Sequence, residues 1–438
     1  MKATLFLALG LAGGLVTGPS QPLTLHEWGT FTSLQDETGR SLGGINTDDE
    51  PVPSFCHDLD QMLIAPPGEL PPIAYKGFPA CHPDVAMRLE TPVIYFHLPK
   101  GATAPLTASV KVAFHGGWLT QFYPAAEAGG FSRNERLTEE TVGTLAWNDL
   151  KIGAPGCGPE TTNRVWTAPR AVQADSIRAP NGESEKFLFY RGVANLPCPL
   201  RLIRSEDSKT LEARPQCGDA LAGRLPLTIE HLWLASFRAD GACAFRSLAS
   251  VILARPPGQD DSQPLLTTSA QFAPADFSPA NLLVLRGQMR RALQDQGLFG
   301  DEADALLNTW ELSYFKSAGL RLFFMVPRAW TDHYLPLSVS VPCDLKRVMV
   351  GRLELVTPQQ RALLRQLAQA PAPVQSWAHY ELKDNQPVVS GVMPAAYRSL
   401  GRFRNALLLD EFNARPTPSL AAFIRLNRLG AWQPAGRS

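Results

Sequence analysis

Three short stretches hold side chains able to do chemistry. The first is His26-Glu27-Trp28, where a histidine beside a carboxylate offers a general base with an orienting partner, or a metal ligand. Adjacent residues of a strand point to opposite faces, so an extended backbone splits His26 from Glu27. A polar plug at the start of a first strand, with Trp28 in the core, is the plainer reading. The second stretch is Arg328-Ala329-Trp330-Thr331-Asp332-His333. Pro327 should end the strand before it and leave Arg328, Asp332 and His333 on a loop. There the planar fork of Arg328 suits a carboxylate or phosphate, and Asp332 or His333 suits proton transfer. The plainer reading is an Arg–Asp pair that pins the loop.

The third is the doublet Cys56-His57-Asp58 and Cys81-His82-Pro83-Asp84. A Cys56–Cys81 disulfide would hold the two Cα atoms about 5.5 Å apart and bring His57 and His82 together beside Asp58 and Asp84. Two imidazoles and a carboxylate are the protein ligands of a hydrolytic zinc site, and neutral imidazoles also suit copper. Without a third ligand at a recognised spacing, two solvated histidines beside a crosslink are the plainer expectation. Stock motifs are missing: there is no Gly-x-Ser-x-Gly elbow, Walker loop, His-Glu-x-x-His or Cys-x-x-Cys. Any active site must therefore be assembled from distant segments, as catalytic triads and metal sites often are.

The compartment follows from the first residues and the cysteines. Lys2, the apolar run Ala3 to Val16, then Thr17 and Gly18 have the pattern of a secretory signal peptide. Fourteen apolar residues span about 21 Å as a helix, short of a bilayer core of about 30 Å, so cleavage near residue 18 is expected rather than anchoring. No later segment reads as a membrane span. The chain is thus expected to be periplasmic or extracellular, where up to six of its seven cysteines would pair, in a connectivity that spacing does not determine. Pairing by proximity joins Cys56 to Cys81, Cys157 to Cys198 and Cys217 to Cys243, leaving Cys343 over. With 41 basic and 41 acidic residues, the chain lacks the basic excess of a nucleic-acid binder.

The elements that must position these residues change character along the chain. From residue 19 to 254 short runs rich in Val, Ile, Phe, Tyr and Thr alternate with Gly and Pro, which reads as strands around a sandwich-like core. Pro92 to His97, Ala108 to Phe114, Lys186 to Arg191 and Thr228 to Phe237 are the clearest. Past a linker-like stretch at 255–263, the portion 264–438 is mixed. Ser278-Pro279 opens a helix, and Asp301 a second with Ala303, Leu306, Leu307, Trp310 and Tyr314 on one face. Strands return at Leu320 to Val326 and Arg347 to Val356, Thr357-Pro358-Gln359-Gln360 opens a capped helix, and Ala395 to Leu429 is largely helical.

The segment His26-Glu27-Trp28-Gly29-Thr30-Phe31-Thr32 resembles the opening of a family of exported bacterial proteins of unassigned function. Glu90 to Phe96, Leu119 to Pro124, Phe189 to Val193, Pro327 to Asp332 and Val350-Gly351-Arg352 are similar to further blocks of that family. The resemblance spans residues 25 to 405 and implies one integrated unit; it brings no activity with it, and the Cys56 to Cys81 segment falls outside it. The expected fold is α+β, a β-rich sandwich-like amino-terminal portion packed on a mixed carboxy-terminal one. A binding or structural role outside the cytoplasm is the first functional expectation, and a metal-assisted or acid/base hydrolase is the alternative.

Overall fold

The structure is a computed structural model that describes residues 22–426 apart from 48–49, 60–73, 76–77, 131–135, 217–226, 254–262, 374–378, 384–385 and 391–393. The expected signal segment, Cys217 and most of the linker-like stretch lie outside the described residues. The principal strands are β1 (Leu23–Gln35), β2 (Met87–His97), β3 (Leu106–His115), β4 (Gly117–Tyr123), β5 (Val142–Ile152), β6 (Phe187–Ala194), β7 (Leu232–Phe237), β8 (Cys243–Leu248), β9 (Gly319–Met325) and β10 (Cys343–Leu355). The principal helices are α1 (Ala280–Asp295), α2 (Gly300–Thr309), α3 (Arg328–Tyr334), α4 (Pro358–Gln369), α5 (Arg404–Ala414) and α6 (Pro418–Leu426).

One large mixed sheet organises the α+β fold, in the order β5-β4-β6-β2-β1-β10-β9-β7-β8. β1 and β10 are parallel and in register from Leu23–Cys343 to Gln35–Leu355, so strands from the two ends of the chain lie side by side at its centre. Both faces of β1 are covered, which is why nearly every residue of it is buried. Leu25 and Phe31 belong to one apolar cluster and Trp28 to another.

On the first face β5, which continues the large sheet past β4, and β3 paired with it form a second layer. Ala108, Val110, Val112 and Phe114 are buried while their neighbours are more exposed, the alternation their spacing requires. They share a core with Leu25, Phe31, Ile94 and Leu188 of the large sheet, giving the sandwich-like half of the molecule. On the opposite face lies the helical hairpin. Leu285, Met289 and Leu293 of α1, with Ala303, Leu306 and Leu307 of α2 and Trp310 after it, pack on Trp28, Val93, Tyr95, Val348 and Val350. Helix α4 begins as its sequence requires, with Gln360 N donating to Thr357 Oγ1 (3.2 Å) and Thr357 N to Gln360 Oε1 (2.9 Å).

Three expectations are corrected. Residues 328–333 are not a loop: Pro327 ends β9 as expected but caps the helix α3. Proline is tolerated at a helix start because its missing N–H has no partner there anyway. The run from Thr228 to Phe237 is two strands, Thr228–Ile229 and β7, paired into different sheets. Cys56, Cys81, Cys157, Cys243 and Cys343 are free, so the bridges Cys56–Cys81 and Cys157–Cys198 are not formed. Cys56 sits in the hairpin-side core, whereas Cys81 accepts from Asn405 Nδ2 at 3.3 Å. Burial pushes both thiols up, Cys81 to about 11, which makes them inert.

Candidate metal centre

His26 does find a carboxylate, but not the one beside it. β1 and β2 are antiparallel with His26 opposite Tyr95 and Thr24 opposite His97, so the two histidines are diagonal neighbours on one face. Their rings lie 5.2 Å apart. From the other side α2 presents Glu302. His26 Nδ1 is 2.7 Å from Glu302 Oε2 and His97 Nε2 is 2.9 Å from Oε1.

Glu302 occupies the third position of its helix, and its Oε2 also accepts the Phe299 N–H at 2.7 Å, the backward reach of a capping glutamate. The turn that delivers it depends on Gly297, at φ +108, a conformation disfavoured for residues with a Cβ. Phe299, half exposed, covers both imidazoles with ring distances of 4.5 Å to His26 and 4.9 Å to His97.

The donor set fits a divalent ion. Glu302 is fully buried, and burial alone would raise its pKa; the hydrogen bonds from His26 and His97, and then the His26 charge and the Phe299 N–H, outweigh burial and hold the carboxyl below its ordinary value. An anionic carboxylate with two imidazoles is a zinc-type ligand set. Their ligand atoms all lie within 4.8 Å of one another. Tetrahedral ligands about 2.1 Å from an ion stand about 3.4 Å apart, so accommodating one requires the carboxylate to withdraw from the rings by roughly half an ångström. His97 is partly exposed, which leaves an approach from solvent.

Glu27 faces the other way. Its carboxylate accepts from Tyr190 Oη and from Arg347 Nε, all three groups being buried. Arg347 Nη1 continues to Asp332 Oδ1 at 3.0 Å, and Arg328 Nε reaches Asp332 at 2.8 Å while its Nη1 donates to Leu345 O at 3.1 Å. The structure therefore brings Glu27, Arg328 and Asp332 into one network with Arg347, and leaves His26 on the opposite face. His333 packs edge-on to His115 at 6.1 Å.

The histidine doublet is not brought together. His57 lies 2.9 Å from Glu183 on the strand beside β4, where Asp58 follows it. His82 accepts the Asp84 N–H at 3.1 Å, and Asp84 is held by Arg136 at 2.7 Å. Among the described residues, His57, Asp58, His82 and Asp84 form no cluster that could hold an ion, whereas His26, His97 and Glu302 do. The signal for the new set lay in strand register. His97 closes an expected strand and His26 opens another, but only their pairing makes them neighbours.

His82 carries a pH prediction. Burial, chiefly, and then Arg136 lower its pKa to about 4 against the opposing pull of Asp84. The unfolded chain then binds the extra proton between about pH 6.5 and 4, so stability is full above that window and falls as pH drops through it, by up to about 3 kcal/mol. His82→Asn keeps an acceptor for the Asp84 N–H and removes the titration. Urea unfolding at pH 7.5 and 4.5 should show a smaller acid loss in the variant than in the wild type. Equal losses would mean His82 is protonated in the folded state.

No protein-family model matches the chain, and no curated protein matches it. Among solved structures it is similar to the "Fcho1 Mu homology domain (Danio Rerio) with bound Eps15 peptide", at 9% identity over 77% of this chain and 96% of that one, with a TM-score of 0.27. At that score the likeness carries no argument, and the functional reading rests on the site alone.

Proposed function

We propose that this protein acts outside the cytoplasm and binds a divalent transition metal, zinc or copper, at His26, His97 and Glu302, in a centre suited to metal-assisted hydrolysis. The observation that carries this reading is the convergence of three ligand atoms from β1, β2 and α2 at a partly open position beneath Phe299. A divalent ion with three protein ligands keeps a position for water or a substrate oxygen and supplies Lewis-acid polarisation. The chain's own residues supply the rest. Glu302 holds the negative charge, the two strands fix the imidazoles, and Phe299 limits the access of bulk water.

Equilibrium dialysis against zinc, followed by elemental analysis, should find close to one ion per chain. His97→Ala and Glu302→Gln should each lower the affinity by at least about 100-fold. Substoichiometric zinc that is equal in wild type and variants would sink the metal reading and return the protein to a binding or structural role. Zinc-loaded wild type that binds but turns over no ester, amide or phosphoester substrate would sink the hydrolytic clause alone.

Export rests on the apolar run at residues 3–16, and the intact mass of protein from its native host should correspond to a chain lacking the first 18 or so residues. Among the described residues no helix is long and apolar enough to cross a membrane.

A further inference from the structure

At the far end of the same sheet face, six residues along β1 from His26, several arginines are buried close to one another. Arg88, Thr32 and Arg352 lie on one rung across β2, β1 and β10. Arg321 of β9 and Arg402, before α5, join them. Two glutamates lie among these guanidinium groups. Glu90 lies 3.0 Å from Arg88 and 3.8 Å from Arg402; Glu354 lies 3.2 Å from Arg321 and 3.5 Å from Arg352. Glu50, the next carboxylate toward Tyr314, accepts the Ser313 N–H at 3.2 Å.

The four arginines are not equivalent. Arg321 spends its fork on Ser313 O, Tyr314 O and Ser317 O, each at 2.8 Å, and so ties the turn after α2 to the sheet. Arg352 is fully buried, yet Nε, Nη1 and Nη2 all lack a hydrogen-bond acceptor. Its plane rests on the Tyr314 ring, 5.0 Å from the centroid. Beside it the hydroxyl of Thr32, also fully buried, has no partner either. A buried cation whose donors are unspent is costly, and such a group calls for an ion or polar ligand to explain it. Burial and the neighbouring Arg402 push Arg352 down to about 10, still charged at neutral pH.

We propose that Arg352 and Thr32 form the floor of a buried site for a small oxyanion. A guanidinium presents its N–H groups in a planar fork that matches two acceptor oxygens, and the threonine hydroxyl adds a donor on the same rung. Full burial restricts the ligand to a group of a few atoms: inorganic phosphate, sulfate or a small carboxylate. The site uses none of the metal-centre residues and does not depend on that reading.

The test uses the full chain in a chelator-containing buffer, so that nothing acts through His26, His97 and Glu302. Phosphate or sulfate, titrated at constant ionic strength against sodium chloride, should raise the wild-type melting midpoint with saturation. A matched acetate series separates a carboxylate ligand from a tetrahedral one. Arg352→Met should melt at or above the wild type without these anions and show no response to them, and Thr32→Val should respond at higher concentration. Ion chromatography of the acid-denatured wild type should identify any anion carried through purification. A wild type that answers no oxyanion beyond the chloride control and releases none on denaturation overturns the proposal. So does an Arg352→Met variant that answers like the wild type, or one that is strongly destabilised in anion-free buffer.

Discussion

Glu27→Ala is expected to cost about 3–5 kcal/mol of stability, because it leaves Arg347 charged in the core with only the half-exposed Asp332 as partner. Glu27 and the Arg347 side chain are almost completely excluded from water, and Tyr190 closes the third side of the carboxylate. Burial opposes the charge on Arg347, but Glu27 and Tyr190 beside it outweigh burial and hold its pKa above the ordinary value. The cost of deletion therefore comes from the orphaned partner more than from the bond itself. Glu27→Met with Arg347→Met together should recover most of the loss, since two well-packed apolar side chains replace two desolvated charges. At an unfolding entropy of about 2 cal/mol/K per residue, a chain of this length melts roughly 1 °C lower per kcal/mol, so single and double variants should differ by several degrees. A double variant no more stable than Glu27→Ala would show that the pair is worth more than apolar packing in this core.

The split between His26 and Glu27 was legible in the sequence, because strand alternation requires it whatever lies on either side. What each would meet was not legible. Glu302 stands 276 residues from His26 and Arg347 stands 320 from Glu27, separations that only the parallel pairing of β1 with β10 and the docking of the hairpin close. Local signals did better than distant ones. The capped start at Thr357, the helix opening after Ser278 and the alternation of Ala108 to Phe114 each depend on a few neighbouring residues. The His57–His82 reading failed because it needed a particular cysteine pairing, which spacing does not determine. Arg328 to His333 was misread for a local reason: a proline that ends a strand can also begin a helix, and Arg328 and Asp332 are then one turn apart.

One face of the sheet thus has chemistry at both ends of the hairpin and packing between. His26 and Trp28 lie toward the start of β1 and Thr32 toward its end, and the apolar residues of α1 and α2 fill the interval. The helix that completes the histidine cluster is the one followed by the turn that Arg321 grips, so the hairpin core sets the geometry of Glu302 directly.

Trp310→Ala should therefore do two things. Trp310 is fully buried at the carboxy end of α2, with its ring 6.3 Å from that of Tyr314 at an angle of 22°. Removing it deletes the largest side chain of the hairpin core and leaves a cavity the two helices can only partly close, at a cost of about 3–5 kcal/mol. Trp310→Phe should cost much less, because most of the ring volume remains and the indole N–H makes no hydrogen bond that would be lost. Since α2 also carries Glu302, the alanine variant should bind zinc more weakly than the wild type while the phenylalanine variant stays close to it, both measured at a temperature where each is folded. A Trp310→Ala protein with an unchanged melting midpoint would mean that the hairpin is not held by this core. One that is destabilised but binds zinc with wild-type affinity would mean that Glu302 is positioned by its capping hydrogen bond to Phe299, independently of the packing beneath it.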